Sequence, residues 1–131
     1  MNEKFGKEYK LCSQKLIQTI FDQKQSIKTY PFVLHYSILP VKIDALFQIT
    51  VSVPKRNFKK AHDRNRIKRL MREAIRKNKL ILEPFLIENK KHVALFMIYT
   101  AREEIMYDVI FKKTTILFTQ LIKEISNEAI N

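Results

Sequence analysis

Apolar residues recur at helical spacing early in the chain, at Leu16, Ile17, Ile20 and Phe21, and Ser13 stands where it can cap the helix they imply. That helix is expected to fade around Gln23 to Gln25. Beyond Pro31, the run from Phe32 to Ile38 is rich in β-branched and aromatic residues and is stopped by Pro40, which predicts a strand. Phe32, Leu34 and Tyr36 alternate to one face of it, Val33 and His35 to the other. The pattern leaves open which face covers the core. Ala45 to Val53 predicts another strand, ended by Pro54. The stretch from Pro40 to Asp44 turns the chain between the two, so an antiparallel pair is the simplest arrangement. A long helix follows, expected from a cap near Asn57 to the neighbourhood of Leu80, with Pro84 opposing continuation. Val93 to Tyr99 is nearly unbroken apolar sequence, the signature of a central strand buried on both faces. A last helix, from Tyr107 to the vicinity of Glu128, lines up Ile110, Phe111, Leu117, Phe118, Leu121, Ile122 and Ile125 for packing. The expected fold class is α+β: one domain, a two-layer sandwich with a small mixed sheet of about four strands packed with helices, in an αβββαβα-like order.

Charge changes the picture from a generic domain to a polyanion binder. The 131 residues are 46% hydrophobic, enough for a core, yet 25 lysines and arginines face only 13 acids, for a net charge of +12. Such an excess repels itself in the folded state and persists where a polyanion neutralises it. The single glycine, Gly6, excludes the glycine-loop phosphate sites of ATP- and dinucleotide-dependent enzymes, which need several. One cysteine, Cys12, allows neither an internal disulfide nor a zinc ribbon. No apolar run approaches the ~20 residues that span a bilayer. No membrane partner and a cytoplasmic location are therefore expected.

The charge is concentrated. Between Lys55 and Lys79 stand twelve lysines and arginines, offset by Asp63 and Glu73 alone, so +10 of the net +12 lies in this stretch. At about 100° per residue, with Arg64 set to zero, Lys68 falls at about 40°, Arg72 at about 80°, Asn65 at about 100°, Arg76 at about 120° and Arg69 at about 140°. Ile67, Leu70, Met71, Ala74 and Ile75 occupy the arc from about 240° round to 20°. One helix thus offers an apolar face to the core and an adjoining cationic face to a ligand. Arg66 falls outside the main basic arc, close to Glu73, which suggests either a second contact surface or a pair with Glu73. Solvated charged faces normally mix signs to form ion pairs, and two acids cannot pair this many cations. Guanidinium forks suit bidentate phosphate contacts, and the Asn65 amide can donate to and accept from a ribose or base edge.

The run from Lys59 to Ala74, with Arg64-Asn65-Arg66-Ile67-Lys68-Arg69-Leu70 at its centre, closely resembles the signature helix of the bacterial ribonuclease P protein component. The upstream Val51-Ser52-Val53-Pro54-Lys55-Arg56 resembles the strand and basic pair that precede it in that family, and element order and length agree over most of the chain. The resemblance implies a protein subunit that assists a catalytic RNA in endonucleolytic removal of the 5′ leader from precursor tRNA. It implies that the RNA subunit is met by Lys59, Lys60, Arg64, Asn65, Arg66, Lys68, Arg69, Arg72 and Arg76. The leader is implied to pass between the first helix and the sheet, at Ile17, Phe21, Phe32, His35 and Tyr36, with Lys55 and Arg56 at the strand exit. The catalytic centre and its Mg2+ are expected in the RNA. No catalytic residue, metal site or small-molecule cofactor is expected in the protein, which would act as a monomer on each RNA.

The remaining residues agree with chemistry carried by a partner. His35, His62 and His92 stand apart from one another, without the spacing or carboxylate clusters of a metal site. Glu103 and Glu104 are adjacent, point in different directions, and are read as negative charge at the start of the last helix. The alternative is a basic ribosomal or nucleoid-associated protein with no part in catalysis. It predicts no preference for precursor over mature tRNA. A zipper dimer is disfavoured because no heptad repeat follows the helix, and a membrane-surface helix because the apolar face is needed for the core.

Overall fold

The structure, a computed structural model, describes residues 9–11, 13–39 and 46–130, with side chains to 127. Cys12 and the turn expected from Pro40 to Asp44 lie outside the described residues. The elements run α1 (Gln14–Gln23), β1 (Ser26–Thr29), β2 (Phe32–Ile38), β3 (Phe47–Ser52), α2 (Ala61–Asn89), β4 (Val93–Tyr99) and α3 (Tyr107–Ile130). This is the αβββαβα order. The expected α+β architecture is present, with three helices on a four-stranded mixed sheet. Ser13 caps α1 through its hydroxyl, which accepts from the Leu16 amide at 3.2 Å, and Lys24 ends it in the left-handed region.

Three expectations are corrected. First, β2 and β3 are not a pair. The sheet order is β1-β2-β4-β3, with β4 antiparallel to β2 and parallel to β3. Val93, Ala94, Leu95, Met97 and Tyr99 are all buried, and a strand needing cover on both faces takes the centre of the sheet. The second concerns β1, which has no counterpart in the hydrophobic pattern because only Ile27 of its four residues is buried. Third, α2 is shifted and longer. It starts at Ala61 because Asn57 and Phe58 close a turn onto the Pro54 carbonyl. It also runs through Pro84 to Asn89. Pro84 and Leu80, whose carbonyl loses its helical donor, are both exposed, so water can replace that bond while Leu82 and Leu86 hold the turn from the core side.

The sheet's two faces do different work. Phe32, Leu34 and Tyr36 join Ile49, Val51, Leu95, Met97 and Tyr99 under α2 and α3, where Ile67, Met71, Ile75, Leu117, Phe118 and Leu121 close the main core. The stripe predicted for α3 delivers Ile110, Leu117, Phe118, Leu121 and Ile125 fully buried. On the opposite face α1 covers only part of the sheet, through a smaller cluster of Leu11, Ile20, Leu39 and Ala94. Thr50 Oγ1 donates to the Leu11 carbonyl (2.6 Å) and Ser37 Oγ to Gln23 Oε1 (2.8 Å), fixing α1 and the segment before it at that end.

Candidate nucleic-acid interface

The wheel drawn from sequence is realised in α2. Ile67, Met71, Ala74 and Ile75 are buried, and Asn65, Arg69 and Arg72 are exposed on the far side, with Lys68 half-buried between. Among the described residues Lys68, Arg69 and Arg72 have no carboxylate within ion-pair distance. Their charge is not neutralised by an ion pair among the described residues. Lys55, Arg56, Lys59 and Lys60 extend the cationic surface along the exposed loop that leads from β3 into α2.

Other cations of this stretch are engaged within the fold. Arg76 makes a bidentate contact with Glu73 (2.7 and 3.1 Å), which holds the Glu73 carboxyl below its ordinary range. Arg66 does not pair with Glu73. Its guanidinium donates to Glu104 (2.7 Å) and Asp63 (3.1 Å), and the hydrogen bond from Glu104 raises its pKa further. Glu104 is therefore tied to α2 rather than left to serve the start of α3. Arg64 Nη1 donates to two consecutive carbonyls, those of Phe58 (2.8 Å) and Lys59 (2.9 Å). Lys79 is 1% exposed. Its ammonium lies 4.6 Å from the Tyr9 ring centre, and the Tyr9 hydroxyl donates to Glu83 (2.9 Å). Lys79 belongs to the core and not to the cationic face.

Where α1 stops short, residues on its face of the sheet are left half-buried, and this margin is the candidate cleft. The registers put His35 beside Ser26 and Phe96, Phe96 beside Thr50, and Val33 beside Lys28 and Ile98, with Ser52 next to Ile98. These residues share the face that carries α1. Phe21, 39% exposed, leans over them, with its ring 4.8 Å from His35 and 5.1 Å from Phe96. Ile17 packs at the same margin. Burial first, and the Lys28 charge second, hold His35 below its ordinary pKa, so the imidazole is neutral near pH 7, and its buried Nδ1 has no hydrogen-bond partner among the described residues. Lys55 and Arg56 follow β3 at the end of the sheet where β4 leaves it.

Two residues expected in the cleft are elsewhere. Phe32 (1% exposed) and Tyr36 (3%) point into the main core, on the face opposite α1, so neither can line the cleft. Strand alternation ties their fate together: if one is core, both are. Val33, Phe96, Ile98 and Lys28 take their places. Val33 was legible as the face-mate of His35, whereas Phe96 and Ile98 lie in an apolar run whose period gives no sign of facing.

A family model described as Ribonuclease P matches residues 5–122, which include the cleft and the cationic helix. The chain belongs to the ribonuclease P protein family. The ribonuclease P protein component of Porphyromonas gingivalis is 34% identical over 94 residues, covering 71% of this chain and 69% of that protein. That of Lactobacillus delbrueckii subsp. bulgaricus is 29% identical over 104 residues, 77% of this chain and 84% of its own. Two solved structures share the fold. The Staphylococcus aureus RNase P protein superposes with a TM-score of 0.70 at 21% identity, over 88% of this chain and 96% of that one. The Thermotoga maritima protein gives 0.67 at 20% identity, over 85% and 96%. The role of the ribonuclease P family is tRNA 5′ processing, with the RNA subunit and precursor tRNA as partners. Among the described residues no helix is long and apolar enough to cross a membrane.

Proposed function

We propose that this chain binds the RNA subunit through the cationic face of α2 and the single-stranded 5′ leader of precursor tRNA in the cleft beside α1, while the RNA performs the cleavage. The observation that carries the reading is the unpaired set Lys68, Arg69 and Arg72, set beside a helix face committed to the core. Asn65, Arg76, Lys59 and Lys60 flank that set. In the cleft, Phe21 and Phe96 offer ring faces for a base, His35 a neutral polar edge, and Ile17, Val33 and Ile98 apolar walls. Stacking on aromatic rings suits single-stranded RNA because every base has a π-face. Lys55 and Arg56 supply charge for a backbone phosphate at the open end. Hydrolysis needs an activated water and stabilisation of a pentacoordinate phosphate. Mg2+ held by the RNA would supply both, and the protein's part is to bind and orient. One protein per RNA, in the cytoplasm, completes the proposal.

The test is reconstitution. Protein added at micromolar concentration to the catalytic RNA is expected to restore precursor cleavage at low magnesium and to tighten precursor binding relative to mature tRNA. If rate and precursor affinity are unchanged by the protein, the reading is wrong.

A further inference from the structure

The Arg64-Asn65-Arg66 signature sends its two arginines to opposite sides of the helix, about 100° either way from Asn65. Each is already occupied. Arg64 holds the Phe58 and Lys59 carbonyls in the loop between β3 and α2. Arg66 holds Glu104, in the connection between β4 and α3, together with Asp63 on its own helix.

Both connections converge on Tyr99. The Phe58 ring lies 6.0 Å from the Tyr99 ring, while the Tyr99 hydroxyl donates to the Glu103 carbonyl (2.6 Å) and accepts from the Ile105 amide (3.1 Å). The loop ahead of α2 carries Lys55, Arg56, Lys59 and Lys60, like charges that push one another apart, and Lys60 caps the helix with no side-chain bond. A guanidinium bridging two carbonyls supplies the missing tie. On the other side, moving Arg66 to a phosphate would leave the Asp63 and Glu104 carboxylates next to a polyanion.

We propose that Arg64 and Arg66 are positioning residues, a staple that locks the two connections flanking the start of α2 and thereby sets the spacing between the loop cations and the RNA-facing row of Asn65, Lys68, Arg69 and Arg72. The staple deepens the reading of α2 as the RNA-binding helix and rests on it. Its consequence is that the two arginines contribute to RNA affinity by pre-ordering the surface and not by releasing counterions.

Salt dependence and amide exchange separate the two roles. Glutamine is a good helix former, so Arg64→Gln, Arg66→Gln and the contact control Arg69→Gln should keep the rod intact. Binding of each full-length variant to the catalytic RNA is measured across a salt series. Loss of a phosphate contact in Arg69→Gln lowers the slope of log affinity against log salt by about 0.7–0.9. Arg64→Gln and Arg66→Gln keep the wild-type slope and lose about 2- to 10-fold in affinity, the cost of ordering a loop on binding. In the free protein, amides of residues 55–60 exchange faster in Arg64→Gln and those of residues 102–106 faster in Arg66→Gln, while Arg69→Gln moves neither. A slope drop in either staple variant equal to that of Arg69→Gln, or loop amides that do not move, overturns the proposal. A slope in Arg69→Gln unchanged from wild type would instead count against α2 as the RNA-binding helix, and the exchange measurement would still decide the staple.

Discussion

His35 lies in the cleft between Phe21, Phe96 and the Lys28 ammonium, and its surroundings penalise the charged imidazole. A histidine pKa lowered by folding means that the native state binds fewer protons than the unfolded chain. Stability is therefore complete above the ordinary value of 6.5 and declines as pH falls through 6.5 toward the lower folded value. His35→Gln should flatten the fall in melting temperature between about pH 7 and about pH 5.5, a window lying mostly above the carboxylate titrations. An unchanged profile would mean that the imidazole is solvated. The neighbouring Phe21 carries a different expectation. Stacking of a base on an aromatic ring contributes about 1–3 kcal/mol, so Phe21→Ala should weaken precursor binding roughly 5- to 150-fold and leave mature tRNA nearly unaffected. Equal losses on both ligands would remove Phe21 from the leader path.

At the scale of elements, α2 shows how packing overrides a local breaker. Pro84 would end an isolated helix, yet Leu82 and Leu86 are fully buried on one side while the unsatisfied Leu80 carbonyl is on the solvent side. Ala at position 84 would restore the amide donor to that carbonyl. Pro84→Ala is expected to stabilise the protein by about 1–3 kcal/mol, the helix penalty of proline less the rigidity it gives the unfolded chain. Chemical denaturation checks this, and a destabilised variant would show that the proline ring makes contacts the alanine cannot. The basic face of the same helix was legible in advance because its period is a local property: Ile67, Met71, Ala74 and Ile75 went inward as the spacing required. The fate of Lys79 was not, since it depends on Tyr9, seventy residues earlier in the chain.

For the whole molecule, net charge governs association. If six cations of the α2 face and its loop meet phosphates, the slope of log affinity for the RNA against log salt should be about −4 to −5. A slope near zero would point to binding through the cleft alone. On the proposed function, fast, salt-sensitive capture by the basic surface and leader-dependent discrimination by the cleft would be separate jobs on opposite sides of the sheet. Mutations in one should leave the other's signature standing.

By itself the sequence determined the apolar and cationic faces of α2, the burial of β4 and the family, because periodicity and local composition are encoded within a dozen residues. Only the tertiary structure decided that β4 separates β2 from β3, which face of β2 meets the core, and which cations stay unpaired. Those outcomes depend on contacts between distant segments: Phe32 and Tyr36 follow the helices above them, and Arg66 follows Glu104, thirty-eight residues away. A side chain's type sets what it can bind, and the fold's long-range contacts decide what it does bind.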